Sequence, residues 1–187
     1  MGRWEPDARG RLEKAALDLY NERGYEQTTV VDIATRAGLT ERTFFRHFAD
    51  KREVLFSGAA VFQELFISNI VGAPDSVTPQ QAMAAALLAV AERFEPGRAH
   101  SRERQNVIEA NPVLQERELI KLASLATAIA AALRERGVPE LAASLTAEAG
   151  VAVFRVAFER WISEDNDRSF PDLISHSLDE LRTVFGP

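Results

Sequence analysis

The sequence predicts an all-α protein of about nine helices, with an N-terminal helix-turn-helix module followed by a larger helical body. Three observations carry that expectation. The periodic segments repeat their apolar residues at i, i+3, i+4 spacing, no stretch alternates with period two between hairpin turns, and Gly, Pro and capping residues punctuate the chain at helical intervals.

The first helix is expected from about residue 7 to 23. Leu12, Ala15, Ala16, Leu19 and Tyr20 form its apolar face, and Gly24 sits where a left-handed C-terminal cap belongs. Thr29 caps a short second helix ending near Ala37, and Asp32 completes a capping-box-like pair. Gly38 makes the turn, Thr40 caps a third helix over Glu41–His47, and Asp50 with Glu53 opens a fourth. That fourth helix reads unbroken through Val54, Leu55, Phe62, Leu65, Phe66 and Ile70 until Gly72-Ala73-Pro74 stops it. At about 1.5 Å per residue its roughly 20 residues reach about 30 Å, long enough to tie two lobes together. Thr78-Pro79 and Asn111-Pro112 open helices ending near Phe94 and Arg136, with a short helix over residues 98–110 between them. Gly137-Val138-Pro139 precedes a long helix to about Ser163, and Glu164-Asp165-Asn166-Asp167 is a polar loop before a last helix over residues 171–185. The expected domains are residues 1–53 and 54–187.

Composition narrows the function. At 187 residues the chain can bury a real core, and the absence of cysteine excludes disulfides, thiolate metal sites and thiol nucleophiles. Residues 1–6 are polar, and the longest apolar stretches, residues 83–91 and 122–133, are expected to be too short to cross a bilayer, so a cytoplasmic protein without a membrane partner is expected. His47, His100 and His176 lie far apart, and there is neither a Gly-rich phosphate loop nor a metal-spaced cluster. Glu164, Asp165 and Asp167 read as a solvated loop rather than a cation site. No catalytic residue, metal or cofactor is expected, and a small-molecule enzyme is the remote alternative.

The net charge of −6 is unevenly distributed. Residues 1–53 hold 10 Lys+Arg and 10 Asp+Glu, so the acidic excess lies wholly in the C-terminal part. A neutral module of this kind is expected to owe any affinity for DNA to a few placed cations, doubled by dimerisation, rather than to a broad electrostatic patch.

In the helix-turn-helix, Ala34 and Gly38 are small where two helices cross closely, and Ile33, Ala37, Leu39, Phe44 and Phe48 form the apolar seam. This leaves Thr40, Arg42, Thr43 and His47 facing outward on the second helix, with Arg46 beside them, side chains suited to base edges and phosphates.

The run Arg23-Gly24-Tyr25-Glu26-Gln27-Thr28-Thr29-Val30, followed by Asp32-Ile33-Ala34, Ala37-Gly38-Leu39-Thr40, Thr43-Phe44-Phe45-Arg46-His47-Phe48 and Lys51, resembles the TetR family of bacterial transcriptional regulators over about residues 9–56. The resemblance implies DNA contacts at Thr29, Thr40, Arg42, Thr43, Phe45 and His47, and a phosphate contact at Lys51. Phe45 departs from the commoner tyrosine, which moves its expected contact from a phosphate to a thymine methyl or sugar. Further resemblances, at Asn111-Pro112 with residues 119–133 and at residues 155–161, are to an actinobacterial subgroup that includes the regulator of the mycofactocin cluster, where long-chain acyl-CoA is sensed.

Residues 149–158 are apolar on all sides except Arg155, and a helix apolar all round must be buried all round, which implies a partner chain. The small residues Ala142, Ala143, Ala149, Gly150, Ala152 and Ala157 permit close approach, and Ile174, Leu178, Leu181 and Phe185 repeat along the last helix. The family resemblance implies a homodimer through the last two helices, placing two recognition helices about 34–36 Å apart, or a multiple, over a palindromic operator. Val151, Phe154, Phe158 and Trp161 form a second stripe that can face Phe62, Phe66, Met83, Leu87 and Leu125, either as ordinary core or as the wall of a cavity for an apolar or acyl-CoA-like effector. Arg98 and Arg102, one helical turn apart, can hold an anionic group or pair with Glu95 and Glu103. The expected function is a ligand-responsive repressor; the alternative is a dimeric DNA-binding protein without an effector.

Overall fold

The computed structural model describes residues 7–185 and, at Phe185, the backbone alone. The polar start at residues 1–6 and the side chain of Phe185 therefore lie outside the described residues. The helices are α1 (Ala8–Arg23), α2 (Val30–Arg36), α3 (Glu41–His47), α4 (Ala59–Val71), α5 (Pro79–Phe94), α6 (Arg98–Glu109), α7 (Pro112–Glu135), α8 (Glu140–Ile162) and α9 (Phe170–Phe185), with 3-10 turns at Glu53–Phe56 and Glu95–Gly97. None of the described residues is in a strand.

Local chemistry sets most of these bounds. The Thr29 side chain accepts from the Asp32 backbone N–H while the Asp32 carboxylate accepts from the Thr29 N–H, closing the expected capping box; Thr78 and Gln81 do the same for α5 with Pro79 in the first turn. Gly24 ends α1 at φ 91 and ψ 154, a positive-φ cap outside the left-handed helical region, and Gly38 turns between α2 and α3 at φ 66.

The chain divides into two compact units, one running to Gly58 and including Glu103–Glu118, the other comprising Ala59–Arg102 and the residues from Leu119 onward. The units thus part at residue 58 rather than at the expected residue 53, and the first recruits the end of α6 and the start of α7. Its core joins Leu12, Ala16, Leu19 and Tyr20 of α1 to Ile33, Phe44 and Phe48, and takes in Val107, Ile108 and Leu114. The second core gathers Phe66, Leu87, Leu125, Ile129, Leu133, Phe154, Trp161 and Phe170.

Two sequence expectations are corrected here. The fourth helix is not continuous: a 3-10 turn covers Glu53–Phe56, Ser57 and Gly58 form a turn, and α4 begins at Ala59. The carbonyls needed to continue the helix are engaged elsewhere, since Arg104 Nε donates to the Leu55 carbonyl at 2.7 Å and Arg9 Nη2 to that of Ser57 at 2.6 Å. Gly58, a poor helix former, adds nothing to resist the break. Secondly, the span Glu53–Val71 and helix α8 are long and apolar enough, by length and composition, to cross a membrane. In the fold α8 is a core helix, with Ala143, Gly150, Val153, Phe154, Ala157 and Trp161 buried, which accounts for its apolar composition.

Candidate nucleic-acid interface and the aromatic core

α3 is held as the motif requires. Phe44 is wholly buried and meets the Phe48 ring at 5.4 Å, while the Leu39 N–H donates to the Ala34 carbonyl at 2.8 Å, locking the turn between α2 and α3. Arg11 Nη2 donates to the Ala37 carbonyl and fastens α1 to the end of α2.

The sequence-predicted contacts differ in exposure. Thr29, Thr40 and Arg42 are exposed, Thr43 is half-buried, and Phe45 stands 52% exposed with its ring edge-on to Phe44. Thr29 and Thr40 also cap their helices: the Thr40 hydroxyl accepts from the Thr43 N–H and lies 2.9 Å from the Thr43 hydroxyl. The Asp32 carboxyl is held below its usual range by the Thr29 hydroxyl, then by the Thr29 backbone N–H, with Arg23 adding to both. His47 is half-buried, and its Nε2 is buried without a hydrogen-bond partner.

Cation pairing separates α3 from its surroundings. Arg9 pairs with Glu13, Lys14 with Asp18, Arg23 with Asp32, Arg36 with Glu22 and Arg52 with Asp50. Among the described residues, Arg42 and Arg46 of α3 form no ion pair or hydrogen bond, so this nearly neutral unit keeps its uncommitted positive charge on the recognition helix.

Lys51 is placed differently from the phosphate contact that the family resemblance implies. Its ammonium donates to the Tyr25 and Thr28 carbonyls at 2.9 and 3.0 Å and more weakly to that of Glu26, and it lies 4.2 Å from the Tyr25 ring centroid. Its three donors brace the turn between α1 and α2. Tyr20 completes that brace by donating its hydroxyl to the Lys51 carbonyl at 2.7 Å; burial raises the Tyr20 phenol above its ordinary range and pushes Tyr25 up to about 12.

One feature of the first unit gave no sequence signal. Arg104, stacked over the Phe56 ring, donates to Glu118 as well as to the Leu55 carbonyl, Gln105 donates to the second Glu118 oxygen, and Arg117 pairs with Glu53. Burial lowers the Arg104 pKa from its usual value, opposed by the Glu118 charge. These partners lie up to 64 residues apart in the chain, beyond any local pattern.

In the second unit, Phe62, Phe66, Met83, Leu87, Leu125, Phe154, Phe158 and Trp161 all join one apolar cluster. Their aromatic rings touch one another: Phe62 and Phe154 are 5.0 Å apart, and Phe154 stacks on Phe158 at 5.7 Å. Arg98 and Arg102 share a face as their spacing requires, and each donates to carbonyls at or just beyond the C-terminal end of α8, while Arg98 Nε is left without an acceptor. Arg98 Nη2 donates to the Ser163 and Asn166 carbonyls, and Arg102 Nε to that of Ile162. These guanidiniums thus cap carbonyls at the end of α8. Glu95 does not pair with them, since its carboxylate accepts from the Phe170 N–H at 2.7 Å. The small residues of α8 also divide: Ala143, Gly150 and Ala157 face the core, where a Cβ on Gly150 would lie 1.8 Å from Met83 Cε, whereas Ala142 and Ala152 are exposed. Two open hollows, of about 370 and 300 Å³, lie in the first unit, and none of the expected effector-contact residues lines either one.

Comparison with known proteins agrees with this architecture. Residues 12–57 match the family model described as bacterial regulatory proteins, tetR family, and residues 77–186 match the MftR C-terminal domain. The transcriptional regulator TcmR of Streptomyces glaucescens is 40% identical over 89 residues, 48% of this chain, and the match spans only 39% of that relative's length. A Mycobacterium tuberculosis protein described as the mycofactocin biosynthesis transcriptional regulator MftR is 24% identical over 169 residues, 89% of this chain and 85% of its own. Among solved structures, a TetR-family transcriptional regulator from Syntrophomonas wolfei superposes with a TM-score of 0.69 at 18% identity, covering 95% of this chain and 94% of the other. The transcriptional regulator FadR of Bacillus subtilis, solved with stearoyl-CoA, superposes at 0.61 and 18% identity, covering 92% and 96%.

Proposed function

We propose that this chain, which belongs to the TetR family of bacterial regulatory proteins and carries an MftR-type C-terminal domain, represses transcription as an effector-responsive homodimer on a palindromic operator. The observation that carries the reading is the uncommitted charge on α3: Arg42 and Arg46 lack acidic partners beside exposed Thr40 and Phe45, while Arg9, Lys14, Arg23, Arg36 and Arg52 are paired. Arg42 is assigned to a base edge and Arg46 to a phosphate, with Thr29, Thr40, Thr43 and His47 on the backbone and Phe45 on a thymine methyl or sugar. Lys51 acts by holding the α1–α2 turn, which orients Thr29, rather than by gripping phosphate.

Dimerisation is supported by the bare face of α8. Leu141, Leu145 and Val156 are 73%, 62% and 41% exposed and align with exposed Ala152 along one stripe, and Val184 of α9 is 73% exposed. This apolar stripe, interrupted by exposed Glu148, favours burial against a second copy. The effector site is assigned to the aromatic core of the second unit, and ligand acts by binding one of two spacings of the α3 helices more tightly than the other. The test is enrichment of a random duplex pool by the full chain. Wild type is expected to retain a common sequence, and Arg42→Ala to retain less DNA with the preference relaxed at one base pair; an unchanged sequence retained equally by both removes Arg42 from the interface.

A further inference from the structure

Seven aromatic residues converge in the core of the second unit. Phe94 meets Phe62, Phe154, Phe158 and Phe170 at centroid distances of 5.5 to 6.4 Å, and Trp161 stacks on Phe170 at 4.7 Å with an interplanar angle of 11°. Phe154 and Phe158 form a second near-parallel pair at 21°. Within this apolar surround Trp161 is wholly buried, yet its Nε1 has no acceptor; Arg98 Nε is likewise buried without one, although Arg98 Nη2 is anchored on the end of the helix that carries Trp161. A buried N–H without an acceptor is uncommon, because it loses its water without gaining a partner.

We infer that this cluster is the binding site for a planar aromatic compound bearing an acceptor oxygen, which receives a hydrogen bond from Trp161 Nε1. The inference rests on the effector reading above and names the ligand class. A flat ring inserted between these side chains replaces ring–ring contacts with ring–ligand contacts of the same kind, whereas an acyl chain gives up their preferred stacked and edge-on geometries. Phe62, Phe94 and Phe158 are only partly buried, and Met83, an unbranched side chain that fills the space over Gly150, can change rotamer to widen the site.

The test is isothermal titration of the full chain with 9,10-anthraquinone-2-carboxylate and, separately, with palmitoyl-CoA. The expected result is saturable binding of the anthraquinone at one site per chain, weakened about tenfold in Trp161→Phe, which keeps a stacked ring and removes the donor. Phe158→Leu, at a half-buried position, is expected to weaken it as well, with circular dichroism confirming that each variant is folded. Binding of palmitoyl-CoA but not of the anthraquinone overturns the aromatic assignment and leaves the effector reading standing. Anthraquinone binding indifferent to both substitutions overturns the placement at Trp161, and heat from neither probe overturns the ligand class. The effector reading itself falls only if operator binding is unchanged across a broad metabolite library.

Discussion

Replacing Arg104 with methionine tests whether the α6–α7 corner belongs to the folding unit that carries the recognition helix. The substitution keeps much of the side-chain length and removes the charge. It abolishes the 2.7 Å bond to the Leu55 carbonyl, the 3.2 Å contact with Glu118 and the stacking on Phe56, leaving Glu118 with Gln105 alone. Removing one partner of a fully buried pair costs about 3–5 kcal/mol. Here each side chain is 24% exposed, so water recovers part of that cost and a loss of about 2–3 kcal/mol is expected. In a chain of this size that is a fall of about 5–10 °C in Tm. Urea unfolding followed by circular dichroism measures the loss. A double-mutant cycle with Glu118→Gln isolates the pair, with an expected coupling above about 1 kcal/mol. A loss below about 0.5 kcal/mol, or strict additivity, refutes the assignment of Glu103–Glu118 to the first unit.

Arg42→Ala is expected to weaken operator binding by about 1–3 kcal/mol and relax preference at one base pair, whereas Arg46→Ala reduces affinity evenly across sequences and lowers the salt slope by about 1; fluorescence anisotropy over a salt series separates the two. Leu145→Glu places a charge in the bare α8 stripe and yields folded monomers in light scattering at micromolar concentration; a persistent dimer moves the interface elsewhere. Because the folded-state pKa of Asp32 is lowered, its contribution to stability is present above about pH 4 and is lost as pH falls through the folded value. Asp32→Asn should therefore lower the urea midpoint at pH 7, with the gap to wild type narrowing as pH falls below about 4, and a gap that does not narrow in acid contradicts the capping account.

Elements stabilised by their own neighbours in the chain were legible. The Thr29–Asp32 and Thr78–Gln81 boxes, the Gly38 turn and the bounds of α3 are written within a few residues of where they act. The break before α4 was not legible, because the atoms that engage the Leu55 and Ser57 carbonyls belong to Arg104 and Arg9, 49 and 48 residues away. The same holds for Arg98 and Arg102: one helical turn apart, they suggested an anion site, and only the tertiary fold brings the end of α8 to them. The aromatic cluster was half visible. Helical spacing aligned Phe154, Phe158 and Trp161, but nothing local revealed that Phe94 and Phe170 close around them or that the indole donor is left without an acceptor.

The central claim, that α3 reads DNA as half of a symmetric pair, is tested most directly by hydroxyl-radical footprinting of the duplex enriched from a random pool. The account predicts two protected half-sites related by two-fold symmetry, with centres about 10 base pairs apart or a multiple of that. A single asymmetric footprint, or protection that does not depend on Arg42, contradicts it.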